Sequence, residues 1–106
     1  MNDLDICTKI AEIEGAKETL YSRVNPKELT AIFDNNTHFD YNPLTDDALC
    51  LRLIEKYGVK FNFYYDLDGV KWYYGDVWVS GVKIIPHTKD LKRFICLYVI
   101  ELNKGK

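Results

Sequence analysis

Two features of this chain predict an α+β fold, with about three helices packed on an antiparallel sheet of three to five strands. Apolar residues recur at helical spacing near both ends and again around position 50, whereas residues 59–85 alternate at strand spacing between turn residues. The expected order is roughly α-β-β-α-β-β-β-α in a single domain, because 106 residues suffice for one hydrophobic core.

The first helix is expected over Asp3–Glu14, where Ile6, Ile10 and Ile13 share a face, Asn2 or Asp3 caps the start and Gly15 sits at the stop. Thr19–Val24 has strand character and is followed by the turn signal Asn25-Pro26. Leu29–Phe33 suits a strand or a short helix; a hairpin of Leu29–Phe33 with Thr37–Tyr41 across Asp34-Asn35-Asn36 is preferred. Asn42-Pro43 then closes the extended segment, since a residue before proline avoids helical geometry. Thr45 is the expected cap of the second helix, Leu44 and Leu49 have the spacing of a hydrophobic staple, and Asp46 and Asp47 suit its positive end. Leu49, Cys50, Leu53, Ile54 and Tyr57 make its apolar face, and Gly58 ends it.

Val59, Phe61, Phe63 and Tyr65 alternate with Lys60, Asn62 and Tyr64, so the first set is expected inside and the second on a wetter face. Asp66-Leu67-Asp68-Gly69 is a hairpin turn. Val70–Tyr74 returns with Val70, Trp72 and Tyr74 on one side and Lys71 and Tyr73 on the other. Gly75-Asp76 is a second turn or a bulge, Val77–Ile85 a third strand, and Pro86 its end. Thr88 is the expected cap of the last helix, whose stripe is Leu91, Phe94, Ile95, Tyr98, Val99 and Leu102. The tail from Asn103 should fray.

Composition narrows the function. The chain is 47% hydrophobic with a net charge of −2 and no basic stripe, so nucleic acid is not an expected partner. No apolar run approaches the ~18 residues of a membrane span, and the acidic start is unlike a signal peptide. Cys7, Cys50 and Cys96 are widely spaced and fall in expected helices, which reads as reduced, buried thiols in a cytoplasmic protein. No glycine-rich phosphate cradle, G-x-S-x-G or H-E-x-x-H occurs. His38 and His87 lack a third placed ligand, so no metal, cofactor or catalytic set is expected. Asp46-Asp47 resembles a carboxylate pair, but adjacent helical positions diverge by about 100°, and capping explains both better than acid/base catalysis.

Eight tyrosines, five phenylalanines and two tryptophans are the surplus feature. Tyr64 and Tyr73, with Lys60 and Lys71 beside them and Trp72 and Trp78 nearby, are the candidate ligand-binding residues, since rings plus amines can stack a base and hold a phosphate. Packing under a helix or at an oligomer interface is the competing explanation and carries more weight, because strand aromatics usually serve packing.

The run Tyr41-Asn42-Pro43-Leu44-Thr45-Asp46-Asp47-Ala48-Leu49-Cys50 is distinctive, with Ile10–Gly15 upstream and Lys92–Leu97 downstream. Together these segments resemble small phage and prophage proteins of uncharacterised function, the NinX-like proteins and the phage ABA sandwich domain. The resemblance implies expression in an infected bacterial cell and helices against an antiparallel sheet; it transfers no activity. The expected function is a non-enzymatic counter-defence protein that sequesters a nucleotide signal or occludes a host immune protein. The alternatives are a phage structural or regulatory protein acting as a homo-oligomer, and a small nucleotide-processing enzyme using Asp46, Asp47, His38 or His87.

Overall fold

The computed structural model of the chain describes residues 2–21, 29–33, 38–78 and 81–104. Asn2 starts the first helix, α1 (Asp3–Ile13), by accepting the Asp5 amide on its side chain at 2.8 Å. Ile6, Cys7, Ile10 and Ala11 are buried along one face, and Gly15 leaves the helix with φ +98°. Three short strands follow, β1 (Glu18–Tyr21), β2 (Leu29–Ile32) and β3 (His38–Asp40), antiparallel in that order. The preferred hairpin is present, with Thr30 opposite Asp40 and Ile32 opposite His38. Positions 22–24, Asn25-Pro26, Asp34-Asn35-Asn36 and Thr37 lie outside the described residues. Leu29 and Ala31 are buried on the same side of β2, and this sheet packs against α1.

The second helix, α2 (Asp47–Tyr57), is capped by Asp46 and not by Thr45. The displacement has a local cause. The Asn42 carbonyl accepts the amides of Thr45 and Asp46 at 3.1 and 3.0 Å, and its side chain accepts that of Leu44, so the chain completes a turn before the helix begins. Asp46 is then the first residue whose carboxylate reaches a helical amide, that of Leu49 at 3.1 Å. Leu44 and Leu49 still pack on the core, although the moved cap takes them off the staple positions. Gly58 closes α2 at φ 64°, in the left-handed region.

A second antiparallel sheet contains β4 (Asn62–Tyr65), β5 (Lys71–Trp78) and β6 (Val82–Thr88). The α+β class therefore holds, but the described strands number six in two sheets, beyond the three to five expected in one. Three boundaries change. Gly75-Asp76 is not a turn, because β5 runs straight through it; the expected third strand Val77–Ile85 is divided, Val77 and Trp78 ending β5 while residues 82–85 start β6 and pair back on it; and Pro86 does not end the meander but sits inside β6. Gly75 faces Ile85 while Tyr73 faces Thr88, which leaves one extra residue on β6 in the stretch containing Pro86. Proline is tolerated there because β6 is an outer strand and the bulge already interrupts the ladder.

The last helix, α3 (Leu91–Asn103), is capped by Asp90 accepting the Arg93 amide at 3.2 Å; Thr88 instead accepts the Asp90 amide on its hydroxyl. The expected stripe is too narrow. Cys96 and Ile100 are buried as well as Phe94, Ile95, Tyr98 and Val99, because α1, α2, β5 and β6 all pack around α3. Asn103, expected in a frayed tail, is helical, and its side chain donates to the Val99 carbonyl at 2.8 Å. Phe94 is fully buried, which contributes about 1.5–3 kcal/mol relative to an exposed ring.

Candidate functional site

Register decides which rings share a surface. Phe63 pairs with Tyr73 and Tyr64 with Trp72, so Tyr64 and Tyr73 lie on opposite faces of the second sheet. The face with Phe61, Tyr73, Gly75, Val77 and Ile85 turns toward α3: Val77 and Ile85 are buried, and Phe61 and Tyr73 pack edge-on at 5.7 Å against the core. Gly75 fits closely here. A Cβ at this position would stand 3.0 Å from the Phe94 ring and 3.3 Å from the Lys60 carbonyl oxygen. Beyond Phe61 the helical cover stops, and Phe63 and Tyr65, expected inside, are 52% and 61% exposed. Lys71 lies over the Phe63 ring at 4.1 Å on this same side.

The opposite face has no helix on it among the described residues. Tyr64, Trp72, Tyr74, Asp76, Trp78, Val82, Ile84 and His87 fall on it by register and ring contact. Trp78 and Ile84 are 74% and 75% exposed. Its centre is ordered by the rings themselves. The Tyr64 hydroxyl and His87 Nδ1 are hydrogen-bonded at 3.1 Å, and the Tyr64, Tyr74 and His87 rings lie 5.5–5.7 Å apart. The two indoles are held by carboxylates: Trp72 donates to Asp66 at 2.9 Å and Trp78 to Asp76 at 3.0 Å. The Trp72 N–H, and after it the Val70 amide, holds the Asp66 carboxyl below its ordinary value. Lys89 sits over the Trp72 ring at 5.1 Å.

The six candidate binding residues are thus divided. Tyr64, Trp72 and Trp78 belong to the open face, Tyr73 and Lys71 to the other, and Lys60 precedes β4 with an exposed side chain. Tyr73 and Lys71, grouped with Tyr64 and Lys60 as one candidate surface, lie instead on the side that faces α3, and Trp72 and Tyr74 lie outside. A close approach of Phe94 at Gly75, two residues from Tyr73, fixes this orientation. Tyr74, Asp76, Val82 and Ile84 were missed, and His87 was considered only as an acid/base candidate; the even-numbered alternation Trp72, Tyr74, Asp76, Trp78 through Gly75 is the signal that finds four of the face's residues together.

The Tyr41–Asp47 segment serves folding. Pro43 is buried, its carbonyl accepts the Cys50 thiol at 2.8 Å, Asp46 is the cap described above, and Asp47 pairs with Lys92 at 2.6 Å, tying α2 to α3. All three cysteines are free and buried. Burial pushes the Cys7 thiol up to about 11, and a hydrogen bond with Cys50, with burial second, raises Cys96. Among the described residues no three His, Cys, Asp or Glu side chains converge as a metal site, and no helix is long and apolar enough to cross a membrane. No family model matches the chain, and neither the curated proteins nor the solved structures contain a significant match to it.

Proposed function

We propose that this chain acts by binding rather than by catalysis, and that the open face of its second sheet is the contact surface for a protein partner. The observation that carries this reading is the exposed group Trp78, Ile84, Val82, Tyr64 and Tyr74, on the side of the sheet away from the face that Val77 and Ile85 bury toward α3. Exposed tryptophan and tyrosine within an aliphatic patch are the side chains that dominate protein–protein contacts. Of the two occupants expected from the sequence, an occluded protein is favoured over a sequestered nucleotide. Lysine 71 is on the wrong side, and the carboxylates of Asp66 and Asp76 stand beside the indoles, where they repel phosphate.

In the phage setting implied by the resemblance, the partner is a component of a bacterial immune system. The test is to express the chain in hosts carrying a panel of defences and to plate sensitive phage. The expected result is restored plaquing against at least one defence, abolished by the double variant Trp78→Ala, Ile84→Lys. Unchanged plaque counts across the panel remove the counter-defence reading; rescue that survives the double variant removes the open face. Light scattering of the purified chain separates the homo-oligomer alternative, for which a concentration-dependent dimer lost in the same variant is the expected sign.

A further inference from the structure

The end of α1 buries a carboxylate that the fold leaves half used. Glu14 has a side chain only 3% exposed. Its Oε2 accepts from Lys56 at 2.5 Å and from the Tyr57 hydroxyl at 2.9 Å. Its Oε1 is buried without a hydrogen-bond partner among the described residues, with Arg52 Nε 3.8 Å away. The hydroxyl of Tyr41, a residue 5% exposed, is also buried and has no hydrogen-bond partner among the described residues. Buried polar atoms in native proteins are ordinarily paired, and two orphans from distant parts of the chain at one place call for an explanation.

Both residues line one cavity of about 330 Å³, the low end of the size range of small-molecule sites. Phe33 and Tyr41, with ring centroids 5.9 Å apart, and Leu49 give it an apolar wall. Asp40 and Asp46 add carboxylates, and Arg52 a guanidinium. With Lys56 on Glu14, three acidic side chains stand against two basic ones among the described residues, a formal balance of one negative charge.

We propose that this cavity binds a small monocation carrying N–H donors, an amine, amidinium or guanidinium on a compact apolar body. An oxygen of a carboxylate paired with Lys56 accepts hydrogen bonds, so a partner for Oε1 is a donor. The Tyr41 hydroxyl accepts a second N–H, and the ring faces favour a positive charge over them. An anion meets three carboxylates, and a neutral alcohol leaves the charge unanswered. The site shares no residue with the open sheet face and stands whether or not that face binds a protein.

Benzamidine and benzylamine are the probes, titrated calorimetrically into the intact chain, with benzyl alcohol and benzoate as neutral and anionic counterparts of similar size. Saturable one-to-one binding of the cations alone is expected. Tyr41→Phe should weaken it roughly tenfold or more while melting no lower than the parent, because the lost hydroxyl has no partner among the described residues. Glu14→Gln should weaken it further; if that variant fails to fold, Tyr41→Phe decides alone. The proposal is overturned by the absence of saturable cation binding (the cavity then holding water only), by equal binding of benzyl alcohol, by undiminished affinity in Tyr41→Phe, or by a marked loss of stability in Tyr41→Phe.

Discussion

The two faces of the second sheet are built from nearly the same residue types and do opposite things. On the inner face Phe61, Tyr73, Val77 and Ile85 meet α3, and a glycine clears the space into which Phe94 fits. On the outer face Tyr64, Trp72, Tyr74, Trp78, Val82 and Ile84 meet no other element among the described residues. Ring content therefore does not decide which face is core. The deciding residue is the smallest one, Gly75, because only the side lacking a Cβ at mid-strand admits a helix so closely.

The largest effect that would break this contrast is Phe94→Ala, which empties the centre of the inner face. It should cost about 3–5 kcal/mol in a urea unfolding titration. Gly75→Ala comes next. It forces either the ring or the Lys60 backbone to move and should destabilise by about 1–3 kcal/mol, against the gain usual for removing glycine from a strand. On the outer face Ile84→Lys, placed opposite Asp76, should change stability by no more than about 0.5 kcal/mol. A loss near that of Gly75→Ala would mean that the outer face is covered after all. The smallest effect is electrostatic. The Asp66 carboxyl is held below its ordinary value in the folded chain, so its support of Trp72 is complete above the ordinary carboxylate pKa and lost as pH falls through the lower folded one. Indole fluorescence should report this as a change in the acid limb, absent from Asp66→Asn.

The same contrast explains what could be read from the sequence. All three helices were legible, since their apolar spacing survives any tertiary arrangement; Ile6 and Ile10, Leu53, and Phe94 with Val99 are fully buried as the periodicity requires. Caps were legible only approximately. Asn42 and Thr88 form local turns that move the start of α2 and α3 to Asp46 and Asp90, and such hydrogen bonds compete with the helix in a way that residue type alone does not rank. Strand faces were the least legible. Gly75-Asp76 has the chemistry of a turn, and treating it as one resets the alternation for every residue after it; only contact with a helix 19 positions downstream at Phe94 resolves the choice. Three of the six candidate binding residues reach the open face, because the register of β4 with β5 pairs Tyr73 with Phe63 and Lys71 with Tyr65 on the other side. Glu14 gave no signal at all, since a glutamate at a helix end looks solvated until α2 supplies Lys56 and Tyr57 to bury it.

An outer strand flanked by exposed rings and aliphatic side chains is the composition from which chains zip together into fibrils. Here β6 interrupts that pairing with Pro86, which has no N–H to give, and with the bulge beside it, while the other border, β4, is only four residues long. Copies of the protein are thereby denied an extended border along which to polymerise. A partner of the apolar face, as proposed above, would then lie flat across the side chains rather than extend the ladder.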